Sequence, residues 1–408
     1  EPPEPTPKDP MNPTLQELLR SATRLTGSGR LSEATAAIQR ALGRGLPMAR
    51  SAPPAPAAAS PAADVIDGCV VELPERSDPS PATEPVHPTP PRSAPPAPGR
   101  GRVVDGAHTQ AGLTRRYRLY LPPGATGQAR PLVVMLHGCT QNPDDFATGT
   151  GMNALADAHG FCVLYPEQPQ DANPSKCWNW FKHNHQSRER GETALIGGMT
   201  QAVRREHGLD AGRVYIAGLS AGGAMAGLVA AAHPEIYAAV GVHSGLAPGV
   251  ARSLPDALAA MRGGAAGTAL PGGLPGGLQG GLPQGLRGAA AAPQKLDLPV
   301  PTIVFHGDQD STVHPVNGEQ VLAAALRAGG PGARARVEHG VSTQGKRYTR
   351  STYATDGGPV VAEHWLVHGA GHAWSGGSAA GSYTDAQGPD ASREMWRFFQ
   401  SQAPLSAG

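Results

Sequence analysis

A serine lies at the centre of the pentapeptide GLSAG, residues 218–222, and could act as a nucleophile. The apolar residues 214–217 predict a strand before it, and the Ala/Gly-rich residues after it predict a helix. A strand and a helix joined through Gly-x-Ser-x-Gly form a nucleophile elbow, which lifts the serine hydroxyl out at the carboxyl edge of a sheet. Taken alone, the pentapeptide could also be a glycine-rich turn with an incidental serine. The flanking elements favour the elbow, with Ser220 as the nucleophile.

A serine hydroxyl is a weak nucleophile near neutral pH, so it requires a base, and the base requires an orienting carboxylate. After an elbow, the acid and the histidine follow in that order, each beyond a later strand. The segment TIVFHGDQDSTVHP offers Asp308 and Asp310, and HWLVHGAGHAWSGG offers His368 and His372. We favour Asp310, which lies beyond the turn, and His372, whose Gly-rich loop can lean over the serine. Asp308 and His368 are the alternatives.

Attack on a carbonyl creates an oxyanion, which backbone N–H groups can stabilise. The Ala221 N–H, at the start of the helix after Ser220, is one expected donor. The loop after an early strand should supply the second, and in VVMLHGCTQNPDDF the candidate is the Cys139 N–H. The Cys139 thiol is not expected to be the nucleophile, because the serine fills that role. His137 could act as a base, but we expect it to pack under the turn.

The elements that position these residues alternate between strand and helix patterns. Strands are predicted at RRYRLYLP, PLVVMLH, FCVLYP, RVYIAG, YAAVGVHSG and PTIVFHG. Helices are predicted at PDDFATGTGMNALADAHG, GETALIGGMTQAVRREHG, AGGAMAGLVAAAH and NGEQVLAAALRAG. This alternation predicts an α/β fold, with a mostly parallel sheet covered by helices on both faces. We assign it to residues 101–404.

The rest of the 408-residue chain has a different composition. Residues 1–10 are predicted to be disordered upstream sequence, residues 11–46 a small helical hairpin, and residues 47–100 a disordered Pro/Ala-rich linker. The hairpin cannot bury its own apolar face, so residues 14–44 are expected to dock on something or to dimerise. The Gly-rich stretch 263–295 is expected to be a surface insertion, with a functional lid as the alternative.

Composition and residue spacing give no support for several classes of partner or ligand. The formal net charge of +1 gives no support for binding nucleic acid or an anionic membrane. No run of 18 apolar residues predicts a membrane span. The four cysteines show no spacing typical of a zinc site, and no metal is expected. No secretory leader pattern follows Met11, which argues against export and leaves a cytoplasmic location open.

Several segments in a consistent order resemble the catalytic domain of poly(3-hydroxybutyrate) depolymerase-like esterases, of the subgroup with an unpermuted α/β-hydrolase core related to feruloyl and acetylxylan esterases. They are LHGCTQNPDDFA, YPEQ, CWNWF, VYIAGLSAGGAMA, VFHGDQDSTV, GHAWSGG and GPDASREMWRFF. The resemblance covers residues 101–403 apart from the Gly-rich insertion. It implies a Ser220–Asp310–His372 triad that hydrolyses a carboxylic ester through an acyl-enzyme without a cofactor.

The resemblance also implies a substrate, namely a short-chain polyhydroxyalkanoate or its oligomers, and an extracellular location. The chain departs from the family in showing no secretory leader and no recognisable polymer-binding domain after the catalytic domain. Both departures favour soluble oligomers or small esters. A feruloyl or acetylxylan-type polysaccharide esterase is the alternative within the same class. In another class, the hairpin could make the chain a granule- or partner-tethering protein.

Aromatic residues and cysteines accompany the predicted site. Trp178, Trp180 and Trp374 are predicted to form an apolar wall for an acyl chain, and the alternative is that they brace their loops. A disulfide between Cys139 and Cys177 would fix the oxyanion loop and would fit export; free thiols are the alternative. Cys162, in a predicted strand, is expected to be a buried thiol.

Overall fold

The computed structural model describes residues 101–124, 129–263, 296–329 and 332–405. The predictions for residues 1–10, for the hairpin at 11–46 and for the linker at 47–100 lie outside the described residues. Of the Gly-rich stretch 263–295, only its first residue is described, and Gly263 ends a helix.

Twelve strands are described, and ten of them form one sheet in the order β1-β2-β4-β3-β5-β6-β7-β10-β9-β8. The strands are β1 (Arg102–Gln110), β2 (Leu113–Leu121), β3 (Leu132–Leu136), β4 (Cys162–Pro166), β5 (Val214–Leu219), β6 (Ala239–His243), β7 (Thr302–Gly307), β8 (Arg334–Val341), β9 (Arg347–Ala354), β10 (Val360–Val367), β11 (Trp374–Ser375) and β12 (Thr384–Asp385). Strands β4, β3, β5, β6, β7 and β10 are parallel to one another. Antiparallel strands extend the sheet at both edges, and β11 pairs separately with β12.

Seven α-helices are described within the same residues. They are α1 (Pro143–Thr150), α2 (Met152–His159), α3 (Gly191–Glu206), α4 (Ala221–Ala232), α5 (Leu254–Gly263), α6 (Val316–Ala328) and α7 (Ala391–Gln400). None of these described helices is long and apolar enough to cross a bilayer.

Two apolar cores lie on opposite faces of the sheet, and alternate residues of each central strand enter one or the other. On β3, Leu132 and Leu136 enter the first core while Val133 and Met135 enter the second. Helices α3 to α6 cover the first face, and α1, α2 and α7 cover the second. Because both faces are covered, the central strands are continuous apolar runs, as the sequence analysis predicted.

The structure differs from the sequence-based expectation at several elements. The single helix expected after β3 is two helices, because Gly151 takes a left-handed conformation (φ 64°) that ends α1. Strands β1, β8, β9, β11 and β12 and helices α5 and α7 were not predicted. Both β1 and β8 are largely exposed, so they lack the apolar pattern by which the sequence reveals a strand.

The topology brings the predicted site residues to one edge of the sheet. The parallel strands β3, β5, β7 and β10 end at Leu136, Leu219, Gly307 and Val367, and each is followed by a loop that carries a candidate residue. Parallel strands have their carboxyl ends at the same edge, which is where ligands bind in sheets of this kind.

Candidate active site

Ser220 occupies a sharp turn between β5 and α4. Its backbone has φ 58° and ψ −120°, a conformation that costs a non-glycine residue energy and occurs mostly at functional sites. The Ser220 N–H donates to the His243 carbonyl over 2.8 Å, which holds the turn against the end of β6. A Cβ on Gly222 would lie 2.0 Å from the Leu136 carbonyl oxygen, so no larger residue fits there.

Asp310 and His372 form a direct hydrogen bond, with His372 Nδ1 lying 2.7 Å from Asp310 Oδ2. The other carboxylate oxygen accepts the Thr312 and Val313 N–H groups at 2.9 and 2.8 Å. Burial by itself would raise the pKa of Asp310, but the interactions with His306 and His372 outweigh it and hold the pKa well below the ordinary range. Asp310 is therefore an ionised, immobile acceptor for the His372 ring.

The two alternative residues form a separate pair. His368 Nδ1 lies 2.9 Å from Asp308 Oδ2, and His368 Nε2 lies 2.9 Å from the Thr349 hydroxyl on β9. About a third of each side chain of this pair is exposed, whereas the Asp310 side chain is fully buried. In the structure, Asp310 therefore pairs with His372, and Asp308 pairs with His368.

His243 links the elbow to the loop that carries His372. Its carbonyl accepts the Ser220 N–H, and its Nε2 accepts the Ser375 N–H over 2.9 Å. The ring of Trp374 stacks on the His243 ring at 5.0 Å. Trp374 and Ser375, two and three residues after His372, therefore contact the same histidine whose carbonyl holds Ser220.

The His243 ring is uncharged. Because Nε2 accepts a hydrogen bond, the ring proton lies on Nδ1, which faces the Ser244 hydroxyl at 3.2 Å. Burial, reinforced by repulsion from His306 and His372, holds the pKa of His243 well below its ordinary value.

The Ser220 hydroxyl and the His372 ring form no hydrogen bond with each other in the described ranges. Catalytic hydrogen bonds are often long in the absence of substrate and tighten when substrate binds. The structure thus shows His372 bonded to Asp310, and His243 bonded both to the Ser220 N–H and to Ser375, three residues after His372.

His137 orients the peptide group that carries the Cys139 N–H. Its Nε2 accepts the Gln168 N–H over 3.1 Å, so its proton is on Nδ1, which donates to the Gly138 carbonyl over 2.8 Å. Burial lowers the pKa of His137 to about 4, so this neutral tautomer persists at neutral pH. His137 thus packs under the turn, as predicted, and also fixes the direction of the Gly138–Cys139 peptide.

The two expected oxyanion donors have no competing acceptor. Within the described part of the chain, neither the Cys139 N–H nor the Ala221 N–H donates a hydrogen bond to another residue. Ala221 is the first residue of α4, where amide groups lack partners within the helix and the helix dipole is positive. Both amides are therefore available to an anionic oxygen.

A disulfide joins Cys139 to Cys177 and ties the oxyanion loop to the loop after β4. A backbone hydrogen bond from Thr140 to Ser175, 2.7 Å long, reinforces the connection. Cys162 is a free, buried cysteine, as predicted, and burial raises the pKa of its thiol to about 11. The sequence analysis left open whether Cys139 and Cys177 form a disulfide, and the structure contains it. Cys139 is also the residue expected to provide an oxyanion donor.

Glu192 anchors the loop after β4, which carries Cys177. The sequence analysis did not identify this residue. Its buried carboxylate accepts the Asn179 N–H (2.7 Å) and the Gln168 side-chain amide (2.6 Å) and pairs with Arg115 (3.4 Å). The same Gln168 amide also donates to the Cys177 carbonyl. A glutamate in the first turn of a helix is usually exposed, so nothing in the sequence around α3 indicated this role.

The prediction that three tryptophans form an acyl-binding wall is not met. Trp178 and Trp374 are 0% and 1% exposed, and Trp180 is 5% exposed. The indole N–H of Trp374 donates to the Ser392 hydroxyl, and its ring meets Phe146 edge-on. With almost no accessible surface, these rings brace the loops of the site, which was the alternative interpretation.

The sequence is similar to the model of an esterase family and to individual proteins named as esterases or depolymerases. The sequence model of the family described as "Esterase PHB depolymerase" matches residues 115–274, a range that contains Ser220 and Cys139 and ends before Asp310 and His372. NocK of Nocardia uniformis subsp. tsuyamanensis, a protein assigned as an esterase, is 31% identical over 330 residues, which are 72% of this chain and 85% of NocK.

Poly(3-hydroxyalkanoate) depolymerase C of Paucimonas lemoignei is 31% identical over 254 residues. That alignment covers 62% of this chain and 57% of the depolymerase, so this chain spans less than two thirds of its length. Among solved structures, an acetyl xylan esterase from Aspergillus awamori superposes with a TM-score of 0.52 at 18% identity, covering 74% of this chain and 99% of that one. This structural likeness supports the α/β-hydrolase fold.

Removing the charge of Glu192 should destabilise the protein. Glu192→Gln leaves Arg115 without its buried partner and places an amide N–H₂ among donors, so the free energy of unfolding should fall by about 2–4 kcal/mol. Glu189→Gln, at an exposed position of the preceding loop, is the matched control and should change it by less than about 0.5 kcal/mol. Urea denaturation measures both. Equal stability of the two variants would show that Glu192 is not a structural anchor.

Proposed function

This chain belongs to the esterase PHB depolymerase family and is a carboxylic ester hydrolase, and we propose that it works through a triad of Ser220, Asp310 and His372. The observation that supports the triad best is the position of His243, which contacts both the elbow and the residues after His372. This contact supports the choice of His372, rather than His368, as the base for Ser220.

In the proposed mechanism, His372 acts as the general base. Asp310 accepts a hydrogen bond from the Nδ1–H of His372, so Nε2 carries the free lone pair. Nε2 takes the Ser220 proton as the hydroxyl attacks the ester carbonyl. The imidazolium that forms is stabilised by the ionised Asp310. Because Asp310 already accepts two backbone N–H groups, it stays ionised and does not take the proton itself.

The tetrahedral intermediate carries its negative charge on the former carbonyl oxygen. The N–H groups of Cys139 and Ala221 stabilise it, and they need not break existing protein hydrogen bonds to do so. The alcohol then leaves with the proton held by His372. Water repeats the sequence on the acyl-enzyme and releases the acid.

For the substrate, we propose a short-chain polyhydroxyalkanoate or its soluble oligomers. Support comes from the poly(3-hydroxyalkanoate) depolymerase that is 31% identical over 254 residues. We also propose that the protein acts outside the cytoplasm, because disulfides such as Cys139–Cys177 persist in oxidising compartments.

Replacing the nucleophile should abolish activity without affecting folding. Ser220→Ala should lose at least about 10³-fold in kcat on p-nitrophenyl butyrate and should no longer be labelled by a fluorophosphonate probe. Ser253→Ala, at an exposed serine before α5, is the control and should keep both activity and labelling. Persistent labelling of Ser220→Ala would assign the nucleophile to another residue.

The two acid–histidine pairs can be separated by matched substitutions. Asp310→Asn should lower kcat by about 10⁴-fold, since an amide in place of the carboxylate favours the wrong tautomer of His372. Asp308→Asn changes the outer pair in the same way and should lower kcat less than 10-fold. Steady-state kinetics on a soluble ester measures both. A larger loss in Asp308→Asn would reverse the assignment.

A substrate panel tests the acyl specificity. The purified protein should release 3-hydroxybutyrate from its oligomers with a higher kcat/KM than it releases ferulate or acetate from polysaccharide side-chain esters. The Ser220→Ala variant provides the blank for each substrate. A higher kcat/KM on feruloyl or acetyl esters would contradict the polyester proposal and show that the protein is a polysaccharide esterase.

A further inference from the structure

Tyr383 is an exposed aromatic residue in a strained backbone conformation. Its φ is 52°, in the left-handed region, and its side chain is 47% exposed. Bulky residues seldom adopt this conformation, and where they do, the surrounding structure imposes it and the position is often functional. Tyr383 takes no part in either apolar core, so core packing does not explain why a tyrosine occupies it.

The backbone on both sides of Tyr383 is held firmly. The Tyr383 carbonyl accepts the Trp374 N–H over 2.7 Å, next to the short β11–β12 pair. The preceding residue, Ser382, donates its N–H to Asp145 (2.8 Å), and its carbonyl accepts the Gln141 side-chain amide (3.1 Å). These contacts hold the backbone in the unusual conformation.

The Tyr383 hydroxyl contacts the oxyanion loop. It lies 3.0 Å from the Thr140 hydroxyl, and Thr140 in turn donates to the Cys139 carbonyl over 2.6 Å. A hydroxyl has a single proton, and Thr140 uses its proton for Cys139. Tyr383 is therefore the donor to Thr140, and a directed chain of hydrogen bonds runs from Tyr383 through Thr140 to the Cys139 carbonyl.

We propose that Tyr383 is a positioning residue that sets the Cys139 N–H relative to His372. Its carbonyl holds Trp374, two residues after His372, while its hydroxyl holds the residue after Cys139. One residue thus fixes the loop of the base and the loop of an oxyanion donor to each other. The inference rests on the proposed function, because it assigns Cys139 its role in stabilising the oxyanion.

The proposal predicts a loss in kcat, not in substrate binding. An aligned oxyanion donor acts mainly in the transition state, and removing one entirely costs about 10²–10³-fold. Tyr383 only aligns the donor, which the disulfide and His137 also hold. Tyr383→Phe should therefore lower kcat on p-nitrophenyl butyrate by about 5- to 30-fold and change KM less than about 2-fold.

Thr140 provides the second half of the test. Thr140→Val removes the same chain of hydrogen bonds and should lower kcat to a similar extent, whereas Thr140→Ser keeps the hydroxyl and should retain wild-type kcat. The double variant Tyr383→Phe/Thr140→Val should be no slower than the slower single variant, because both changes break one chain. Thr109→Val breaks an exposed hydroxyl pair in the β1–β2 hairpin and serves as the control.

The outcomes separate this inference from the proposed function. If the wild type hydrolyses the ester and Ser220 is labelled, but Tyr383→Phe keeps wild-type kcat or raises only KM, the positioning role is wrong while the esterase stands. If the fold-losses in kcat of the two single variants multiplied in the double variant, the positioning role would also be wrong. If the wild type neither hydrolyses the ester nor is labelled by the fluorophosphonate, the proposed function fails, and the inference fails with it.

Discussion

The arrangement of the site depends on the direct contact between the elbow and the end of β3. Gly222 approaches the Leu136 carbonyl so closely that a single added methyl group would overlap it. This contact brings the loop after β3, with its Cys139 amide, beside the start of α4, with its Ala221 amide. The strained Ser220 and both proposed oxyanion donors thus lie around one contact, the backbone-to-backbone packing of the first turn of α4 on the end of β3.

Around this contact, buried polar groups hold the loops of the site in place. His137 fixes the Gly138–Cys139 peptide, and His243 joins the elbow to the loop of His372, each as a neutral ring with one donor and one acceptor nitrogen. Glu192 anchors the loop that is attached to Cys139 through the disulfide. A buried polar group without a partner costs free energy, so the partners of these rings and of this carboxylate also define their orientation.

Much of this could be anticipated from the sequence, because strand ends are local signals. The central parallel strands, and the placement of Ser220, Asp310 and His372 after three of them, follow from apolar runs and the residues that end them. The interactions of His243, Glu192 and Tyr383 could not be anticipated, because each depends on a partner far along the chain. The tryptophans were misjudged for a related reason: a tryptophan near a catalytic residue in sequence has the same signature whether its ring faces substrate or the core. The exposed edge strands carried no apolar pattern at all.

The most direct test of the account is a crystal structure of the protein after reaction with a phosphonate ester, whose tetrahedral phosphorus imitates the intermediate. The account predicts a covalent bond from Ser220 Oγ to phosphorus, with the phosphonyl oxygen about 2.7–3.1 Å from both the Cys139 and Ala221 nitrogens and with His372 Nε2 facing the leaving-group side. Attachment to another residue, or a phosphonyl oxygen that points away from these two amides, would contradict it.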